Sequence, residues 1–149
     1  DLPGHLDHSK MLKLLGYQLA QASIPSSKVF KKHIGEAFDL KQVEFTILML
    51  VSSNAEVTSK RLSVALSIPA PHLTLILDRL EKRELITRIR SETDRRMQHV
   101  QLTRKGRTLV SKMDALSDTM EDELLSHLTA AERGMLFELL RKVAVVRRV

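Results

Sequence analysis

Between Ile86 and Leu102 the chain changes its period. Upstream, apolar residues recur at helical spacing. At Ile86–Arg90 and His99–Leu102 two short runs alternate instead between apolar and polar residues, which predicts strands. The eight residues between them, Ser91-Glu92-Thr93-Asp94-Arg95-Arg96-Met97-Gln98, are almost free of core-forming side chains. Two strands joined by so polar a segment make a hairpin whose tip must face solvent or a partner. Before it, Leu80–Leu85 reads as a helix end, with Lys82 and Arg83 at the negative end of the macrodipole. After it, Thr103 is a good N-cap for a new helix. The stretch from Leu80 to Gly106 therefore predicts helix, charged hairpin, helix.

The flanking sequence is helical by period. Asp7–Ser23 spaces Met11, Leu12, Leu14, Leu15, Leu19 and Ala22 as one helix, which Asp7 or Ser9 can cap. Pro25 predicts a break or kink before Lys28–Phe38 resumes. Leu40–Val51 is apolar on most sides and belongs in the interior. Thr58–Leu66 is a short capped helix with Leu62, Ala65 and Leu66 facing inward. Ser67-Ile68-Pro69 makes a tight turn, Pro69 suiting the first turn of the next helix, which runs to about Arg83 on a stripe of Leu73, Ile76, Leu77 and Leu80. Two short helices on a tight turn are the helix-turn-helix pattern, and a basic hairpin directly after them makes the winged form. Beyond the hairpin, Thr103–Leu128 reads as one long helix. Thr129 and Glu132 form a capping box for a last helix, striped by Met135, Leu136, Leu139, Leu140 and Val143. The terminal Arg147-Arg148 reads as a solvated end.

Composition narrows the function. At 149 residues the chain makes one domain, or one domain plus oligomerisation helices. Lys and Arg outnumber Asp and Glu by 24 to 18, a net charge of +6 that favours a polyanionic partner. Cysteine is absent, which excludes disulfides, thiolate zinc sites and thiol-based sensing. No apolar run reaches membrane-spanning length and no secretory signal is evident, so the expectation is a soluble, cytoplasmic protein. The six histidines are scattered, and no nucleophile elbow, Gly-rich phosphate loop or metalloprotease helix occurs. The expectation is a non-enzyme without cofactor or metal.

Several segments then resemble one family: Leu62-Ser63-Val64-Ala65-Leu66-Ser67-Ile68, Asp78-Arg79-Leu80-Glu81-Lys82, Leu85-Ile86-Thr87-Arg88, Asp94-Arg95-Arg96 and Val100-Gln101-Leu102-Thr103-Arg104-Lys105-Gly106. This order is similar to that of the MarR (multiple antibiotic resistance regulator) family of bacterial transcription factors. The resemblance implies a mainly α protein with a small β-hairpin, a winged helix-turn-helix carried between N- and C-terminal dimerisation helices. The implied segments are 1–38 for the first dimerisation region, 39–103 for the DNA-binding lobe and 104–149 for the last helices. It further implies a homodimer on a pseudo-palindromic double-stranded operator, most often a repressor released by a small molecule, with phenols and aromatic acids the common effectors. The alternative is a helical protein-interaction adaptor that does not bind DNA.

The candidate DNA contacts are Ser59, Lys60, Pro69, Ala70, His72, Thr74, Arg79, Arg88, Arg90, Asp94, Arg95 and Arg96. Arginine suits phosphate oxygens and the narrow minor groove. By resemblance Arg96 enters that groove, and Asp94, two residues before it, orients the guanidinium. Departures from the family pattern also matter. Pro69, Ala70, His72 and Leu75 stand where charged or hydroxyl residues are frequent, so the recognition helix should make fewer charged contacts. Glu84 stands where Gly is frequent, which puts a left-handed helix end in question. Candidate effector contacts are Tyr17, Gln18, Gln21 and His33.

Overall fold

A computed structural model describes residues 3–147; Arg148 lies outside the described residues. A short turn at Pro3–His5 precedes α1 (Leu15–Phe30), one turn of π-helix (Lys31–Gly35) and the single turn α2 (Glu36–Phe38). Then follow α3 (Gln42–Ser52), β1 (Val57–Thr58), α4 (Ser59–Leu66), α5 (Ala70–Lys82), β2 (Ile86–Arg90), β3 (Gln98–Leu102), α6 (Arg104–Ser117) and α7 (Ala130–Ala144). The chain forms two compact units. One holds the residues up to Lys31 with those from Thr119 onward; the other runs from Lys32 to Asp118.

The second unit is a winged helix-turn-helix. Its core is aliphatic, as a chain with 3% aromatic residues requires. Leu73, Leu77 and Leu80 of α5 are buried with Ile47 and Leu48 of α3, Leu62 of α4, Ile86 and Val100 of the strands and Met113 of α6. The stripe expected on α5 is therefore the one buried. On α4 only Leu62 is fully buried: Leu66 is half-buried, and Ala65, expected inward, is exposed. A helix of two turns offers one position to the core, and Leu62 takes it.

The hairpin pairs antiparallel with Ile86 opposite Leu102, Arg88 opposite Val100 and Arg90 opposite Gln98. A third strand that the sequence did not announce, β1, lies on the other side of β3, with Val57 opposite Val100. Two residues carry no readable alternation, so only pairing with β3 defines this strand. Thr58 ends it and caps α4, its hydroxyl oxygen accepting from the backbone N–H of Arg61 at 3.1 Å.

The helix ends follow side-chain chemistry with some exceptions. Thr103 caps α6 by accepting from Gly106 N–H at 3.0 Å, and its own hydroxyl donates to the Glu84 carbonyl at 2.6 Å. Pro69 is the residue before α5 rather than within it, and Pro71 occupies the first turn, where its missing N–H has no intrahelical partner to lose. Glu84 does adopt the left-handed conformation, at φ 61°. The Leu85 N–H donating to the Leu80 carbonyl at 3.0 Å closes the helix over it, as a glycine cap would.

In the first unit α1 starts at Leu15, later than Asp7–Ser23 suggested, and the residues before it form turns. Asp7 accepts from the backbone and hydroxyl of Ser9 in a local turn and caps no helix. Pro25 neither breaks nor ends α1. It is exposed, and the expected change of geometry comes later, as the π turn at Lys31–Gly35. The long helix expected through Leu128 stops at Ser117, and residues 118–127 are a run of turns with mixed three- and four-residue hydrogen bonds. The capping box of α7 is present: Glu132 N–H donates to the Thr129 hydroxyl at 3.1 Å, and Thr129 N–H to the Glu132 carboxylate at 2.9 Å. Neither α1 nor α7 covers its apolar stripe. Leu15, Leu19, Met135, Leu136, Leu139 and Val143 are all exposed.

Candidate nucleic-acid interface

The tip of the wing is built by short polar side chains. Ser91 Oγ accepts from the backbone N–H groups of Thr93 and Asp94, at 3.3 and 3.2 Å. The Met97 N–H donates to the Asp94 carbonyl and the Ser91 N–H to the Met97 carbonyl, both at 2.9 Å, which closes the loop. In this turn Asp94 Oδ1 accepts from the backbone N–H of Arg96 at 3.0 Å and from its Nε at 3.3 Å. The Arg96 side chain is nonetheless 92% exposed, so its outer nitrogens point away from the protein. Arg90 Nη1 donates to the Arg95 carbonyl at 3.3 Å and stiffens the base of the tip.

The wing faces the start of α4 across a concavity of about 670 Å³ lined by Ser59, Lys60, Arg90, Asp94, Arg95 and Arg96 among others. The structure therefore brings together six of the residues singled out from sequence. Four are cations and one is a carboxylate already occupied by Arg96. Ser59 adds a buried hydroxyl oxygen with no hydrogen-bond partner among the described groups.

The second helix of the pair, α5, turns its N-terminal half outward. Pro69, Ala70, Pro71, His72 and Thr74 are exposed, and Leu75 is 67% exposed. Thr74 donates its hydroxyl to the Ala70 carbonyl at 3.0 Å, which leaves lone pairs to accept from outside. This surface is neutral and partly apolar. It suits base edges and thymine methyl groups better than phosphates.

Two candidate contacts are engaged inside the lobe. Arg88 is only 16% exposed and pairs with Asp78 at 2.5 Å and Glu81 at 2.9 Å. The guanidinium hydrogen bond to Glu81 holds that carboxyl below its usual value against the opposing effect of burial, with the Arg88 backbone N–H adding to the lowering. The same hydrogen bond raises the Arg88 pKa further. Arg79 places Nε 2.7 Å from Glu44, a carboxylate 1% exposed, and lies 3.6 Å from Asp39. Both arginines thus fix α5 to its neighbours.

Glu44 went unnoticed in the sequence, and Arg83 was read only as a cation suited to the end of its helix. Glu44 accepts from Lys41 N–H at 2.7 Å, and its position at the third residue of α3 was a readable capping signal. Arg83 donates to the Asp39 carbonyl at 2.6 Å and the Phe38 carbonyl at 2.9 Å, contacts across more than forty residues that no local pattern encodes.

The effector candidates fall in both units. Tyr17, half-buried, is hydrogen-bonded through its hydroxyl to His8 Nδ1. Gln18 donates to the Leu12 carbonyl at 2.8 Å, and Gln21 is half-buried. These three belong to the first unit, whereas half-buried His33 belongs to the second.

Known proteins share this geometry. Residues 40–97 match the model of the MarR family. The uncharacterized HTH-type transcriptional regulator YpoP of Bacillus subtilis (strain 168) is 32% identical over 121 residues, 78% of this chain and 86% of that protein. The solved structure of the transcriptional repressor CouR bound to a 23-mer DNA duplex superposes with a TM-score of 0.85 at 30% identity, covering 94% of this chain and 99% of that one. BpsR of Bordetella bronchiseptica, whose structure concerns regulation of its DNA binding by 6-hydroxynicotinic acid, has a TM-score of 0.80 at 25% identity over 90% of this chain and 95% of its own. With the helix pair, the arginine-tipped wing and these relatives in agreement, the chain belongs to the MarR family of transcriptional regulators.

Proposed function

We propose that this chain is a homodimeric repressor that binds double-stranded DNA and releases it when a small aromatic or phenolic molecule binds. The observation that carries the DNA-binding half is the concavity between wing and α4, with four cations, one of them an arginine held in one orientation by Asp94. Arg96 suits the minor groove, and the exposed half of α5 the major groove beside it. Lys60, Arg90 and Arg95 are suited to the phosphates that flank both.

A single lobe reads one half-site. A twofold pair would read two, about 34 Å apart along the duplex. The uncovered stripes of α1 and α7 supply the means, since aliphatic faces such as Leu15, Leu19, Leu136 and Leu139 gain about 25 cal/mol for each Å² removed from water. CouR bound to a duplex and BpsR under control of an aromatic acid are the relatives that support this reading.

Fluorescence anisotropy with a duplex selected from a random pool, at two salt concentrations, tests the DNA half. Binding should weaken with a log–log slope of about −0.9 for each phosphate neutralised. Sedimentation equilibrium of the free protein tests the dimer. A monomer, or indifference to DNA in dilute buffer, would overturn the reading.

A further inference from the structure

Helix α5 turns one side to the core and the opposite side to solvent, and the solvent side is apolar where the helix starts. At about 100° per residue, the buried Leu73, Ile76, Leu77 and Leu80 fix the inner face, and Pro71, Leu75, Asp78 and Lys82 fall opposite them, all exposed. Leu75 is 67% exposed. From Pro69 to Leu77 the sequence holds no Lys, Arg, Asn or Gln, the side chains that pair bidentately with guanine or adenine. Pro71 also removes a backbone N–H with which a helix start could hold a phosphate. Farther along, Asp78 and Glu81 are both engaged by Arg88, and Lys82 stands about 10 Å beyond Leu75 along the axis. Leu75 belongs to an open concavity of about 650 Å³ that Asp78, Glu81, Lys82 and Arg88 also line.

We propose that Leu75 is the specificity-determining residue of α5, and that it selects a pyrimidine carrying a C5-methyl group, thymine, in the major groove. This rests on the DNA-binding reading and adds what the helix recognises. The thymine methyl is the one apolar group that a base pair shows in the major groove. An exposed leucine gains by covering it. Against cytosine the leucine loses, because it would strip the amino group of water without offering an acceptor. Thr74, the preceding residue, donates its hydroxyl proton to the Ala70 carbonyl at 3.0 Å and so is left to accept. The amino group of adenine, the pairing partner of thymine, is a donor that suits it. Lys82 suits a phosphate at the far end of the same face. Helix α4, packed on α5, lines the cation-rich concavity with the wing, so the apolar patch continues a surface made for a polyanion.

Fluorescence anisotropy of the full chain on a duplex selected from a random pool tests the assignment. Each thymine is replaced in turn by deoxyuridine, which removes only the C5-methyl. At the position facing Leu75 this should weaken binding about fourfold, as expected for one buried carbon. Cytosine paired with guanine at that position should bind about tenfold more weakly than thymine, and 5-methylcytosine should recover part of the loss. Leu75→Ala should bind the thymine and deoxyuridine duplexes alike, and should melt at the wild-type temperature because the side chain is exposed. Three results would overturn the proposal while DNA binding stood: indifference to every deoxyuridine, a deoxyuridine penalty undiminished in Leu75→Ala, or equal binding of cytosine and 5-methylcytosine. A wild-type chain that enriches no duplex would instead refute the DNA-binding reading itself, and this assignment with it.

Discussion

The carbonyl oxygen of Leu85 faces Gly106 so closely that a Cβ added there would lie 2.1 Å from it. The same oxygen accepts from Thr103 N–H at 3.1 Å, so it is anchored by the first turn of α6 and cannot swing aside. Helix α6 therefore docks on the strand leading into the wing at a distance only glycine permits. Gly106→Ala should force α6 and the start of β2 apart, at a cost of about 1–3 kcal/mol or more. A lowered urea midpoint measures it, and an unchanged one would mean that the backbone yields without penalty.

Asp94 sits near the proposed DNA surface with a charge of the wrong sign for phosphate, yet its geometry is that of a brace. Removing it as Asp94→Ala should weaken duplex binding although the protein becomes more positive. Arg96→Ala should weaken it further, with both variants melting at the wild-type temperature. Simple electrostatics makes Asp94→Ala bind more tightly, so the sign of the change in anisotropy-derived Kd separates the two accounts.

At Glu84 a non-glycine residue holds a left-handed conformation, which costs roughly 1–2 kcal/mol for an L-residue. Glycine relieves that strain but adds freedom to the unfolded chain. Glu84→Gly should therefore stabilise the lobe modestly, by up to about 1 kcal/mol, seen as a Tm rise of a few degrees. Lower stability would show that the Glu84 side chain contributes something its exposed position does not suggest.

The Arg88–Glu81 pair predicts a pH dependence. Glu81 titrates below its ordinary 4.5 in the folded protein because its carboxylate accepts from the Arg88 guanidinium. A depressed folded value adds stability that is present above the unfolded pKa and is lost as pH falls through the folded one. Unfolding midpoints followed from pH 7 to 3 should fall less steeply in Glu81→Gln than in the wild type. Equal slopes would mean the pair contributes nothing to the acid limb.

Much of the fold was legible because its information is local. The α5 stripe, the Thr58, Thr103 and Thr129 caps, the hairpin and the Asp94–Arg96 spacing all follow from residues within a few positions of one another. The errors came where a local rule met a tertiary context. Pro25 removes one N–H from an exposed turn, and α1 carries through it. The apolar stripe beyond Ser117 kept a helical period without keeping a helix.

Sequence alone determined most of the element types, the aliphatic core and the presence of a basic, braced wing, since periodicity, capping chemistry and charge act over a few residues. Only the tertiary structure decided which arginines face outward. Arg90, Arg95 and Arg96 line an open concavity, while Arg79, Arg83 and Arg88 are taken up by carboxylates and carbonyls supplied from elsewhere in the lobe. A guanidinium looks the same in every sequence; its partner is set by which segments the core packs together, and that is a property of the folded chain.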